Sequence, residues 1–127
     1  MNNKVLLIED DKDLQEIVSY NFSKEGFVIN SCLDGEDAME MVKHENPDLI
    51  ILDWMLPNVS GVEILRQIRS IKKYRKIPVI MLTAKNEETD RLKAFDGGAD
   101  DYISKPFSNA ELIARSKAIL RLSLIHI

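Results

Sequence analysis

Short apolar runs alternate along this chain with longer segments of helical spacing, and that alternation leaves few folds open. The runs are "KVLLIE" (residues 4–9), "FVINSC" (27–32), "LIIL" (49–52), "PVIML" (78–82) and "DYIS" (101–104). Each has the length and β-branched content of a strand. Between them, Leu14, Ile17, Val18 and Phe22 form one apolar stripe, and Ala38, Met41 and Val42 a second. Val62, Leu65, Ile68 and Arg69 mark a third helix, Leu92 and Phe95 a fourth, and Leu112, Ile113 and Ile119 a fifth. Turn formers separate them: Gly26, Asp34-Gly35, Asn46-Pro47, Gly97-Gly98 and Pro106. Such alternation predicts an α/β fold, a parallel sheet with helices on both faces. The nearly unbroken apolar stretches at Leu6–Ile8 and Leu49–Leu52 are expected at its centre.

A chain of 127 residues suits one domain with one core. No apolar run approaches a membrane span, and the charged start "MNNKVLLIEDD" is no signal peptide. The single Cys32 excludes an internal disulfide and a cysteine-rich zinc site, so the cytoplasm is the expected compartment. With 17 basic against 21 acidic residues, the domain is a poor nucleic-acid binder by itself. It can still bind a cation or regulate a basic partner.

The polar residues that end the strands carry the chemistry. The first run ends in Glu9, Asp10 and Asp11, the third in Asp53, the fourth in Thr83 and the fifth in Ser104 and Lys105. In an open parallel sheet ligands bind at the carboxyl ends of the strands, so these side chains converge on one rim. Clustered carboxylates raise one another's pKa unless a cation joins them. Mg²⁺ suits such a site, since it takes one or two carboxylates, keeps several waters and shares the rest of its shell with phosphate oxygens. An aspartate beside it can attack phosphorus and become an aspartyl phosphate. Lys105 would neutralise one phosphoryl oxygen and Thr83 would hydrogen-bond another. Asp53 therefore reads as a nucleophile.

The acid pair Glu9-Asp10, "DWMLP" with Asp53, "LTA" with Thr83 and "KPF" with Lys105, in that order, resemble the receiver domain of bacterial response regulators. The resemblance spans residues 4 to about 121. It implies a flavodoxin-like (βα)5 three-layer sandwich with strand order 2-1-3-4-5, and a cis peptide before Pro106. It also implies that Asp10, Asp53 and the Met55 carbonyl bind Mg²⁺ with Glu9 assisting, and that Tyr102 is an aromatic switch. The phosphoryl donor would be a sensor histidine kinase. "LTAKNEETDRLKAFDGGADDYISKPF" looks most like the OmpR/PhoB branch, whose members dimerise through the fourth helix, fifth strand and fifth helix. On that face the resembling charges are Arg91 with Glu111 and Asp101 with Arg115, and the apolar patch is Leu92, Phe95 and Ala118. Members of the branch reach DNA through a C-terminal winged-helix domain.

Plainer readings stand beside these. A lone aspartate at a strand end is ordinarily a turn former, and either Asp11 or Glu9 can cap the first helix. Tyr102 can be plain strand packing, and the four charges a solvated face. His44 and His126 lack ligand spacing. Ser116 stands where relatives carry an apolar residue; if buried, its hydroxyl is expected to bond back to the preceding turn. A haloacid-dehalogenase-like phosphatase uses similar chemistry but needs a second acid where Met55 stands; a pseudo-receiver would only bind a partner. The expected domain is residues 1–121. "LSLIHI" (122–127) resembles a translated sequencing adapter, so it reads as a non-native tail with the DNA-binding domain missing.

Overall fold

Apolar runs with no polar interruption become fully covered strands. The computed structural model describes residues 3–84 and 98–125, with side chains as far as residue 122. In chain order the elements are β1 (Lys4–Ile8), α1 (Lys12–Lys24), β2 (Val28–Cys32), a 3₁₀ turn (Gly35–Asp37) and α2 (Ala38–Glu45). β3 (Leu49–Asp53), α3 (Gly61–Ser70), β4 (Val79–Thr83), β5 (Asp101–Ser104) and a C-terminal helix (Asn109–Ile125) follow. The five strands form one parallel sheet in the order β2-β1-β3-β4-β5, as expected. Every residue of β3 and β4 is buried.

Side chains alternate across a pleated strand, so each central strand feeds two cores. Leu6, Ile8, Ile50, Leu52, Val79 and Met81 pack on one face with Val42 of α2 and Ile64, Leu65 and Ile68 of α3. Val5, Leu7, Leu49, Ile51, Ile80 and Leu82 pack on the other with Val18 and Phe22 of α1 and Leu112 and Leu120. This two-sided burial gives the three layers. It also explains why the strands show no polar alternation.

Several boundaries shift from expectation. β1 stops at Ile8, leaving Glu9 just beyond it, whereas β3 and β4 each run one residue further, to Asp53 and Thr83. Ile17 is 51% exposed rather than part of the α1 stripe. The stripe follows Leu14, Val18 and Phe22 at i, i+4 and i+8, and Ile17 sits about 100° from Val18 around the helix. The expected fourth helix, with Arg91, Leu92 and Phe95, lies outside the described residues. Ser116 is fully buried and its hydroxyl donates to the Leu112 carbonyl at 2.7 Å, as its position required. The C-terminal helix continues past Arg121 to Ile125, with Leu122 57% exposed. Among the described residues, no helix is long and apolar enough to cross a membrane.

Candidate functional site

The site is assembled by strand register. Asp53 lies opposite Leu82, and Thr83 opposite Ser104, so β3, β4 and β5 end side by side. Beyond β1, the Glu9 amide donates to the Cys32 carbonyl at 3.0 Å, carrying the pairing with β2 one step further. Asp11 then caps α1, its carboxylate accepting from the amides of Asp13 and Leu14 at 3.0 and 3.2 Å. That settles which acid is the cap. After β5, the Lys105 amide donates to the Thr83 carbonyl at 2.8 Å, and the Lys105–Pro106 peptide is cis.

These constraints bring Glu9, Asp53 and Lys105 into contact. Lys105 Nζ lies 2.7 Å from Glu9 Oε1 and 3.3 Å from Asp53 Oδ2. Glu9 and Asp53 are 1% and 3% exposed, while Asp10 is exposed at the rim. Carboxylate oxygens of Glu9, Asp10 and Asp53 lie within 4.8 Å of one another. Asp53 Oδ1 accepts the Met55 amide at 3.3 Å, and the Met55 side chain itself is exposed. The Thr83 hydroxyl is buried without a hydrogen-bond partner among the described residues. An unpaired buried hydroxyl costs about 1–3 kcal/mol, so a site that keeps one has reason to hold a ligand oxygen there.

Among the described residues, three acids here share the Lys105 ammonium. Burial, then the neighbouring Asp53 carboxylate, pushes the Glu9 pKa up despite the pull of Lys105. Burial and the adjoining Glu9 likewise raise Asp10. Burial works to lower Lys105, but attraction to Glu9 and Asp53 outweighs it and the ammonium is held above its ordinary value. The donors are all hard oxygens, and among the described residues their charge exceeds what Lys105 balances. A small divalent cation fits that donor set.

Two supporting groups escaped the sequence reading. A Cβ on Gly61 would strike the Asp53 carbonyl oxygen and lie 2.9 Å from Trp54 Cα. The Gly61 amide instead donates to the Trp54 carbonyl at 3.0 Å, so the first turn of α3 rests on the backbone that carries Asp53. A glycine at the first position of a helix that Ser60 caps was the signal available. The second is Arg69. Its guanidinium donates to the Gly98, Ile77 and Arg75 carbonyls at 2.8, 2.7 and 3.1 Å and to Asp100 at 3.0 Å. It braces the starts of β4 and β5 at the opposite end from the acids.

On the remaining face, Tyr102 is half-buried in β5 and packs against the α2–α3 side of the core. Arg115 donates to both Asp101 oxygens at 3.0 Å and approaches Glu111 at 3.4 Å. The expected Asp101–Arg115 pair is thus made within one chain. Ala118 is half-buried, and Arg91, Leu92 and Phe95 are outside the described residues.

The response regulator receiver domain family matches residues 5–117. The chain belongs to that family. The receiver is 46% identical over 118 residues to the phosphate regulon transcriptional regulatory protein PhoB of Rhizobium meliloti (strain 1021), covering 93% of the chain and 52% of that protein. It therefore spans about half the length of the curated relative it matches. Its structure is similar to DrrB, an OmpR/PhoB homologue of Thermotoga maritima, with TM-score 0.84 and 36% identity over 95% of this chain and 54% of the other. The receiver domain of Francisella response regulator 1452 superimposes with TM-score 0.88 at 33% identity, covering 96% and 99% of the two chains. The chain is a two-component receiver, similar in sequence to PhoB.

Proposed function

We propose that this receiver accepts a phosphoryl group on Asp53 from the phosphohistidine of a sensor histidine kinase. The observation that carries the reading is the setting of the Asp53 carboxylate. It is buried, faces the Lys105 ammonium at 3.3 Å, has Glu9 and Asp10 within ligand reach, and ends β3 beside β4, whose Thr83 hydroxyl has no hydrogen-bond partner among the described residues. In the transfer an Asp53 oxygen forms the bond to phosphorus. The phosphorus–nitrogen bond breaks, and the imidazole leaves with its electron pair. Catalysis is then mostly positioning and charge stabilisation.

Mg²⁺, held by Asp10, Asp53 and the Met55 carbonyl with Glu9 assisting, would neutralise the carboxylates and the incoming phosphoryl oxygens. Lys105 supplies a point charge to one phosphoryl oxygen and Thr83 a hydroxyl donor to another. Movement of Thr83 toward the phosphoryl group would let Tyr102 turn inward and reshape the β5 face. That face would then pair two copies. Residues 1–121 would be the input switch of a longer cytoplasmic transcription regulator that reaches DNA through its effector domain.

The test is intact-mass measurement after incubation with Mg²⁺ and a small phosphodonor. Wild type should gain one phosphoryl group; Asp53→Ala, or wild type without Mg²⁺, should gain none. Equal labelling of Asp53→Ala would remove Asp53 from the role.

A further inference from the structure

We propose that the turn between α3 and β4 is a docking surface for the phosphate backbone of duplex DNA. This goes beyond the reading above, in which DNA is met by the effector domain alone, and it rests on the transcription-regulator part of that reading. Residues 72–76 read "KKYRK", four cations in five positions, in a chain whose acids outnumber its bases by 21 to 17. Lys72, Lys73, Arg75 and Lys76 are all exposed, and among the described residues none of them makes an ion pair. Lys73 Nζ stands 5.8 Å from the centre of the Tyr74 ring, a contact that does not neutralise it.

The turn is held rigid while its charges stay free. Tyr74 is buried in the α2–α3 core, and the Tyr74 and Arg75 amides both donate to the Ile71 carbonyl at 2.9 Å. The Ile77 amide donates to the Tyr74 carbonyl at 3.0 Å, and Arg69 holds the Arg75 and Ile77 carbonyls from within. A ligand therefore meets a backbone that is already ordered. α3 runs from the carboxyl end of β3 to the amino end of β4, so the turn lies at the opposite end of the sheet from the acid rim. Acids at this end are engaged: Glu25 with Lys117 at 2.7 Å, Asp100 with Arg69 at 3.0 Å, and Asp48 with the Lys4 amide at 2.8 Å. The molecule is thus polarised, and its net charge of −4 understates the positive field at the turn.

The Lys117–Glu25 contact also brings the C-terminal helix to this end, because Glu25 lies between α1 and the start of β2. On the reading above, an effector domain following that helix would hold DNA at the same end of the receiver as the turn. The Tyr74 ring is 8% exposed and offers no platform for an unstacked base, which favours a duplex over a single strand. What remains is lysine and arginine heads, which contact phosphates without reading sequence. An acidic peptide offers similar charge, but only DNA is brought to this end by the effector domain.

The test titrates the 127-residue chain with a duplex of about 20 base pairs and arbitrary sequence, at about 20–200 mM salt. Amide NMR signals of residues 71–77 should move, and those of the acid rim should not. Lys72→Gln/Lys76→Gln removes half of the turn's charge. It should weaken binding at least about tenfold at low salt and flatten the slope of log affinity against log salt by ~1.8, at about 0.9 for each lost phosphate contact. Lys12→Gln/Lys24→Gln, an equal charge change at exposed positions of α1, should weaken it less than about threefold. Both variants should bind Mg²⁺, read from the fluorescence of the single Trp54, and take label on Asp53 as wild type does. Unmoved turn signals at every salt concentration, or equal losses in the two variants, overturn the inference. So does an oligoglutamate peptide that moves those signals more than the duplex at equal charge, which would make the partner an acidic protein. The titration needs no effector domain, so it decides this inference whether or not that part of the reading holds. A wild type that takes no label would sink the phosphoacceptor reading and leave the DNA result standing.

Discussion

Single residues at this rim carry demands that their chemical type alone does not disclose, and Gly61 is the clearest. An alanine inside a helix ordinarily gains about 0.4–1 kcal/mol over glycine through the unfolded chain. Here the added Cβ would strike the Asp53 carbonyl, part of a strand buried along its whole length that cannot give way. Overpacking of that kind costs about 1–3 kcal/mol, so the collision outweighs the helix gain. Gly61→Ala is expected to lower the urea midpoint and, by displacing the backbone of Asp53, to weaken Mg²⁺ binding read from Trp54. A stabilised variant with unchanged Mg²⁺ affinity would show that the contact relaxes freely. The placement of Asp53, Thr83 and Lys105 at one rim was legible in the sequence because each follows an apolar run and the parallel sheet aligns such ends. Gly61 was not, because its reason lies in the distance between two backbones.

At the scale of elements, Arg69 shows how a helix secures two strands at the end remote from the site. It sits in α3 among apolar neighbours, and spacing alone enrols it in their stripe. Its partners lie in the turn before β4 and in Gly98 and Asp100 before β5, separations that no local pattern reveals. Asp100 is tied in turn to the Val79 amide at 2.8 Å, so α3, β4 and β5 meet at one guanidinium. Gly98 has φ +98° and a Cβ there would lie 2.9 Å from Arg69 Nε, which suits glycine twice over. Removing Arg69 leaves three carbonyls to find water and Asp100 without its cation. With Asp100 partly exposed and screened, Arg69→Ala is expected to cost about 2–3 kcal/mol. Urea unfolding should show a lower midpoint at an unchanged slope. Arg69→Lys should recover less than half of the loss, since one ammonium cannot reach acceptors spread over a planar fork. Full recovery would mean that charge alone matters here.

Across the whole molecule, strand–helix alternation sufficed for the parallel sheet, because only helices on both faces can cover strands apolar on both sides. The surface face of β5 and the C-terminal helix is harder to read from sequence, since exposed charges obey no period. Pairs such as Asp101 with Arg115 look the same whether they join one chain or two. In the structure Arg115 is satisfied within its own chain by Asp101 and Glu111. A two-fold contact on this face would have to exchange those pairs for equivalents across the axis. Exposed ion pairs contribute only about 0.2–1 kcal/mol each, so exchange alone yields little net affinity. Association would then depend on apolar area uncovered by the switch, with the charges fixing register and partner choice. Sedimentation velocity is therefore expected to show a monomer without ligand, and a dimer once beryllofluoride and Mg²⁺ mimic the phosphoryl group. Arg115→Glu, which sets a third acid beside Asp101 and Glu111, should abolish that dimer while leaving Mg²⁺ binding intact. A monomer under both conditions at high concentration, or a dimer indifferent to Arg115→Glu, would mean that phosphorylation of this receiver is read out through another face.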